Sequence, residues 1–148
     1  MSPLRLLLGA AFWAVFGCAA PPAFAEIFEQ QTALTTEPGN ADRGREVFVS
    51  RAAGHCLLCH SVQALSEPSQ GNVGPSLDQV GERLTAAQLR ARLIDSTAIN
   101  PDSAMPAYYR RSNLNQVASR YVGKSVLEAQ QIEDLIAFLL TLRESAHD

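Results

Sequence analysis

Five consecutive residues constrain this chain more than any other feature: Cys56, Leu57, Leu58, Cys59 and His60. A Cys-x-x-Cys-His run is the attachment signature of a c-type heme. The two thiols form thioether bonds to the heme, and the adjacent imidazole binds one face of the iron. A zinc site would need a second pair of closely spaced ligands, and a thioredoxin-like redox pair would need a βαβ context. The sequence shows neither, so the motif predicts a covalent heme c with His60 as an axial ligand.

The first 25 residues have the pattern of an export signal. Arg5 precedes an apolar run over residues 6–20, and residues 23–25 form an A-x-A cleavage site. We therefore expect residues 1–25 to be a cleaved signal peptide and the mature protein to be periplasmic. One alternative is a retained membrane anchor, although the run is shorter than the roughly 20 residues that span a bilayer. Another is lipid attachment at Cys18, whose preceding residues make a poor lipobox.

Cleavage would leave few residues able to bind iron or to react. Cys56 and Cys59 would be the last two thiols, so none would remain for a disulfide or for nucleophilic catalysis. Met105 would be the last methionine, in an irregular Pro-bounded segment that suits a ligand loop. His55 is too close to the motif to reach the opposite heme face, and His147 lies at the fraying C terminus. Met105 is therefore the predicted second axial ligand, against the alternative of an adaptable core methionine.

The mature chain has helical patterns and no convincing strand, which predicts an all-α domain over residues 40–148. Residues 26–39 lack a sustained period and are expected to form a flexible N-terminal arm, either solvated or docked on a partner. Helices are expected over residues 42–52, 86–95 and 126–143. Residues 61–80 are rich in Pro and Gly and are expected to be a long loop that wraps the heme.

Individual residues predict how these helices begin and where they meet. Thr85 is expected to cap the second helix, and Ser125-x-x-Glu128 matches a capping box for the third. Gly44 would allow another helix to approach the first closely. Phe138 is placed to fill that contact together with the aromatic ring of Phe48, one turn beyond Gly44.

The chain has a net charge of −3 and no stretch that is basic enough to suggest nucleic-acid binding. Four residues form a basic cluster: Arg110, Arg111, Arg120 and Lys124. The cluster is either a docking surface for an acidic partner or an ordinary solvated face. Arginine suits bidentate contacts with carboxylates, and the candidates for binding heme propionates are Arg83, Arg90 and Arg92. The last two are expected to lie off the apolar stripe of their helix. Tyr108 and Tyr109 are expected to pack in a core or an interface.

The mature chain resembles class I cytochromes c. Its first helix followed by the heme motif is similar to the N-terminal part of that family, and Gly74-Pro75-Ser76-Leu77 is similar to the family's Gly-Pro-x-Leu loop. The resemblance implies terminal helices that cross and single-electron transfer by one heme. It also implies that the Pro75 carbonyl accepts a hydrogen bond from His60 and that Leu77 packs on the heme.

A narrower resemblance is to the SoxX family, the small cytochrome subunits of the SoxAX complexes of sulfur-oxidising bacteria. It rests on residues 71–77, Val80-Gly81-x-Arg83, Leu89-Arg90-x-x-Leu93 and Asn100-Pro101-x-x-x-Met105-Pro106-x-Tyr108. It implies a heterodimer with a SoxA-type cytochrome, transient contact with the carrier protein SoxYZ, and a small soluble cytochrome c as electron acceptor. The complex would be an L-cysteine S-thiosulfotransferase. This chain would accept electrons and supply no catalytic residue, because its thiols are taken by the heme.

Three other functions stay open at this point. A free-standing monoheme electron carrier of the periplasm would share the fold, the cofactor and the ligands, but it would be a monomer. A heme enzyme or a gas sensor would lack Met105 on the iron, and its reduced form would bind CO. A membrane-anchored cytochrome would keep its first apolar segment.

Overall fold

A computed structural model describes residues 32–144. Its α-helices are α1, Ala41–Val49; α2, Val80–Arg83; α3, Ala86–Asp95; and α4, Ala129–Thr141. Short 3-10 helices lie at Cys56–Leu58, Ser96–Ala98 and Ser119–Tyr121. This part of the chain contains no β-strand, so the all-α prediction is confirmed. It also contains no helix that is long and apolar enough to cross a membrane. The predicted signal peptide and His147 lie outside the described residues.

The first and last helices, α1 and α4, cross at the centre of the core. At the crossing an ideal Cβ on Gly44 would lie 2.0 Å from the carbonyl oxygen of Asp134, so only glycine fits there. One turn further on, the ring centroids of Phe48 and Phe138 are 5.3 Å apart and the rings are tilted by 56°. The predicted contact of the Gly44 and Phe48 face with Phe138 is confirmed.

The capping residues set the bounds of α1 and α3. Asn40 accepts a hydrogen bond from the N–H of Arg43 at 2.9 Å and caps α1. This helix ends at Val49, earlier than predicted, because Ser50 takes an extended backbone conformation. The prediction for α3 is confirmed at both ends, and Thr85 forms a reciprocal capping box with Gln88.

The start of α4 differs from the prediction. The helix begins at Ala129 and not at 126, and its capping box pairs Glu128 with Gln131. The predicted pairing of Ser125 with Glu128 is therefore wrong. The N–H of Leu127 donates to the carbonyl of Tyr108 at 3.0 Å, which ties residue 127 to another segment.

Arg90 is buried, so the prediction that it lies off the apolar stripe on the outer face of α3 is wrong. Its side chain is only 8% exposed, and Nε and Nη2 each donate to a carboxylate oxygen of Glu133 at 2.7 Å. The N–H of Leu34 donates to the same carboxylate at 2.9 Å. Burial alone would raise the pKa of Glu133, but the hydrogen bonds from Arg90 and Leu34 leave that pKa below its usual value. One carboxylate thus links α3, α4 and the segment before α1.

The segment that leads into α1 lies against α4 of the same chain. Leu34 packs on the core. The N–H of Asn40 donates to Asp134 at 2.7 Å, and Nε of Arg43 donates to the same carboxylate at 2.8 Å. Burial alone would raise the pKa of Asp134, but these hydrogen bonds, led by that from Arg43, leave the pKa low. The described part of the predicted arm, residues 32–39, therefore contacts its own domain.

Candidate heme site

The Cys-x-x-Cys-His motif forms a tight turn. His55 adopts a left-handed conformation with φ of 51°, and the 3-10 helix starts at the next residue. The N–H groups of Cys59 and His60 both donate to the carbonyl of Cys56, at 3.1 and 2.9 Å. Cys56 is buried and Cys59 is half-buried, and both are free thiols. Burial raises the pKa of the Cys56 thiol to about 12, so this thiol is held in its protonated form.

The loop over residues 71–77 holds the His60 ring. Nδ1 of His60 lies 2.7 Å from the carbonyl oxygen of Pro75. A carbonyl only accepts, so Nδ1 carries the proton and the lone pair is on Nε2. Gly74 lies directly against this ring, because an ideal Cβ there would lie 2.5 Å from Cε1 and 2.7 Å from Nδ1. The imidazole is thereby fixed in its tautomer and its orientation, as an axial ligand requires.

Backbone hydrogen bonds join this loop to the motif. The N–H of Gly71 donates to the carbonyl of Leu57 at 2.8 Å, and the N–H of Gly74 donates to the carbonyl of Cys59 at 2.8 Å. An ideal Cβ at Gly71 would lie 2.0 Å from the carbonyl oxygen of Leu58. The two glycines therefore let the loop lie directly on the motif.

An apolar cavity brings most of the predicted site residues together. Cys56, His60, Leu77 and Met105 all line it. Further lining residues come from α1, α2, α3, α4 and the nearby loops: Phe48, Val80, Leu84, Leu89, Arg92, Leu93, Tyr108, Leu135 and Leu139. Pro75 adjoins the cavity through its hydrogen bond to His60. Thiol, imidazole and thioether groups around apolar walls are the donor set and the surroundings that a c-type heme needs, so the residues fit this group.

Met105 is held at the cavity by bonds that the sequence did not predict. The buried Ser96 donates from its hydroxyl to the Met105 carbonyl, and the Met105 N–H donates to Oγ of Ser103 at 3.2 Å. Tyr108 donates from its hydroxyl to the carbonyl of Gly54 at 2.9 Å. The Met105 segment is therefore tied to the end of α3 and to the segment that precedes Cys56.

Tyr108 has a role that sequence reasoning assigned only as packing. It is buried, lines the cavity, and its N–H donates to the carbonyl of Leu93 at 3.0 Å. Burial raises the pKa of its hydroxyl, so the group is a neutral donor. A Met-Pro-x-Tyr spacing is the sequence signal that could have pointed to it, since it places an aromatic ring three residues after the predicted ligand.

The structure separates the three arginines proposed for heme propionates. Arg92 lines the cavity, and its Nη1 donates to the carbonyl of Gln88 at 3.0 Å. Arg90 is bound to Glu133. Arg83 donates from Nη2 to the carbonyl of Ser76 at 3.1 Å. Of the three, Arg92 is the one placed at the cavity.

The comparisons with known proteins agree with this geometry. The cytochrome c family matches residues 41–143. A chain in the crystal structure of SoxXA from P. pantotrophus is 35% identical, with a TM-score of 0.71, over 77% of this chain and 89% of that chain. A search of curated proteins gives no match.

The chain therefore belongs to the cytochrome c family. The crossing terminal helices and the absence of strands in residues 32–144 confirm the predicted class I fold. Family membership implies a covalently bound heme c and an electron-transfer role. Within the family the chain is a SoxX-type cytochrome, which confirms the narrower resemblance.

Proposed function

We propose that residues 40–148 form a monoheme domain in which Cys56 and Cys59 attach the heme and His60 and Met105 are its axial ligands. The observation that carries this proposal is the convergence of Cys56, His60 and Met105 on one apolar cavity. One heme is proposed because the sequence has one Cys-x-x-Cys-His motif. Leu77 contributes apolar contact in the cavity, and Pro75 acts through its hydrogen bond to His60.

The chain's own residues favour single-electron transfer. Heme c, when bound, supplies the one-electron redox centre. The His60 imidazole, with its Nδ1–H held by Pro75, is oriented as a basic ligand. The thioether of Met105 raises the reduction potential relative to a second imidazole. The apolar walls would shield a bound heme from water, and a thioether of Met105 on the iron would leave little room for a small ligand.

We further propose that this chain is the electron-accepting subunit of a SoxAX-type complex. The likeness to a chain of SoxXA supports this assignment. The partner is a SoxA-type cytochrome, which carries the thiol chemistry of an L-cysteine S-thiosulfotransferase, because both mature thiols of this chain are committed to heme. SoxYZ is the transient carrier of the thiosulfate-derived group, and a small soluble cytochrome c takes the electrons. The proposed complex is periplasmic and follows cleavage of residues 1–25.

Purification of the native protein tests the assembly. The proposal expects co-elution with a second cytochrome and reduction of this chain's heme by thiosulfate when the carrier protein is present. The proposal would be contradicted if the protein were a monomer and if thiosulfate never reduced its heme in the reconstituted system. The free-standing electron carrier would then be the remaining function. N-terminal sequencing of the mature protein tests cleavage after Ala25 at the same time.

CO binding tests the axial ligands. The reduced wild-type protein should bind little CO at neutral pH, and Met105→Ala should bind it readily because the sixth position opens. Leu84→Ala is the matched control, since Leu84 lines the same cavity and is not a proposed ligand. Ready CO binding by the wild type, or equal CO binding by both variants, would refute ligation by Met105.

A further inference from the structure

Residues 109–126 form a loop whose two ends meet at the edge of the core. The N–H of Leu127 donates to the carbonyl of Tyr108 at 3.0 Å, and both of these residues are buried. Between them no residue is buried, and one short 3-10 helix is the regular structure. Apart from Tyr109, which packs against the core, the loop adds no apolar residue to it. A loop of this length usually has a functional reason.

This loop exposes apolar side chains beside a groove. Tyr121, Val122 and Val126 are 52%, 66% and 57% exposed. We call this groove the basic groove. It is lined mainly by apolar side chains, among them Ala52, Pro106, Leu114, Val117, Tyr121 and Val126, together with the cations Arg110 and Lys124 and the polar residues Asn115 and Ser125. Large apolar side chains clustered at a surface mark an interaction site more often than chance exposure does.

The charge of this region is opposite to that of the chain. Residues 103–127 contain four cations and no carboxylate, whereas the whole chain has a net charge of −3. Arg110 is engaged internally by Asp95 at 2.7 Å. The other three cations of the basic cluster are exposed, and the Arg120 guanidinium lies 4.8 Å from the ring centroid of Tyr121. The groove therefore has a mostly apolar lining, which we call its floor, and its two cations are Lys124 and the ion-paired Arg110.

The basic groove is close in sequence to both sides of the heme site. Ala52 lies shortly before Cys56, and Pro106 directly follows Met105. A redox protein seated in the groove would therefore be near the backbone that carries the thioether attachment and the proposed sixth ligand. A lasting interface has an apolar centre and a polar rim, and the groove offers both.

We propose that the basic groove is the docking surface for the SoxA-type subunit, whose matching face carries carboxylates around apolar residues. This inference rests on the proposed function, since it assigns the place where that partner binds. The occupant is chosen by charge complementarity and by the apolar floor, which suits a stable subunit better than a transient carrier.

Binding of the heme-loaded protein to the SoxA-type cytochrome of the same organism tests the surface. Lys124→Glu should raise the dissociation constant by about tenfold or more at low salt, with a smaller effect at high salt. Arg143→Glu is the matched control, because it makes the same charge change at an exposed site just beyond α4. Val126→Asn should weaken binding by roughly tenfold at every salt concentration, whereas Val73→Asn, at a 75% exposed site in the 71–77 loop, should not.

The outcomes separate this inference from the proposed function. If the wild type binds no second cytochrome, both are overturned. If the wild type binds and the groove variants bind as tightly as Arg143→Glu, only the docking surface is overturned. If only Val73→Asn weakened binding, the interface would lie at the 71–77 loop and the inference would be overturned. Slower electron transfer to the soluble cytochrome with an intact complex would assign the groove to that acceptor and overturn the inference. Rescue of Lys124→Glu by a carboxylate-to-lysine change on the SoxA-type subunit would support it.

Discussion

Replacing Glu133 by glutamine should cost the protein a large share of its stability. The Arg90 and Glu133 side chains are 8% and 7% exposed and share two hydrogen bonds of 2.7 Å. The substitution keeps an oxygen near the N–H of Leu34, so the main change is that Arg90 loses the carboxylate that balances its charge. Removing one partner of a buried ion pair costs about 3–5 kcal/mol. Since small domains are stable by about 5–15 kcal/mol, the loss should remove at least about a fifth of the free energy of unfolding.

Denaturant unfolding of the heme-loaded protein, followed by far-UV circular dichroism, measures this cost. Glu67→Gln is the matched control, because Glu67 pairs with Arg45 at 3.2 Å on the surface, where the side chains are 36% and 47% exposed. Such a pair contributes about 0–1 kcal/mol. A loss for Glu133→Gln no larger than that for Glu67→Gln would refute the burial argument. The double variant Arg90→Met with Glu133→Gln should recover most of the loss, because it removes both charges and keeps an acceptor for the N–H of Leu34.

Three further predictions concern the core, the site and pH. Gly44→Ala should destabilise the protein by about 3 kcal/mol or more in the same assay, since the new Cβ meets the backbone of Asp134. Tyr108→Phe should cost about 1–3 kcal/mol, because it leaves the Gly54 carbonyl without its donor, and CO binding to the reduced protein should rise as the Met105 segment loosens. Both Glu133 and Asp134 have a lower pKa when folded. The two carboxylates therefore stabilise the folded protein above their unfolded pKa values of about 4, and this stabilisation is lost as the pH falls from those values through the lower folded ones. Acid unfolding of the wild type, compared with that of Glu133→Gln, measures the effect.

The sequence predicted features that depend on local spacing. The start of α3 follows from the Thr85 cap, and both bounds of this helix were predicted correctly. The contact between Gly44 and Phe138 followed from the helical period and from the need of a close crossing for glycine. These features needed no knowledge of partners elsewhere in the chain.

Features that depend on distant partners were missed. Arg90 looked like an outer-face residue, and its partner Glu133 lies on another helix, so no local pattern signalled its burial. Serine is a preferred N-cap and glutamate is not, so the sequence favoured a capping box of Ser125 with Glu128. The hydrogen bond from Leu127 to Tyr108 ties residue 127 to another segment, and the helix begins after Glu128. The anchoring of the Met105 carbonyl by Ser96 had no sequence signal either.

Both walls of the candidate site are fastened to one short segment of backbone. The carbonyl of Gly54 accepts from Tyr108 on the Met105 side, and the carbonyls of Leu57 and Cys59 accept from the loop that holds His60. The spacing between the two proposed ligands therefore depends on bonds to residues 54–59 more directly than on the crossing of α1 and α4. It follows that variants at the helix crossing should lower the free energy of unfolding before they change ligation. Variants that break bonds to residues 54–59 should alter ligation while the helices are still folded.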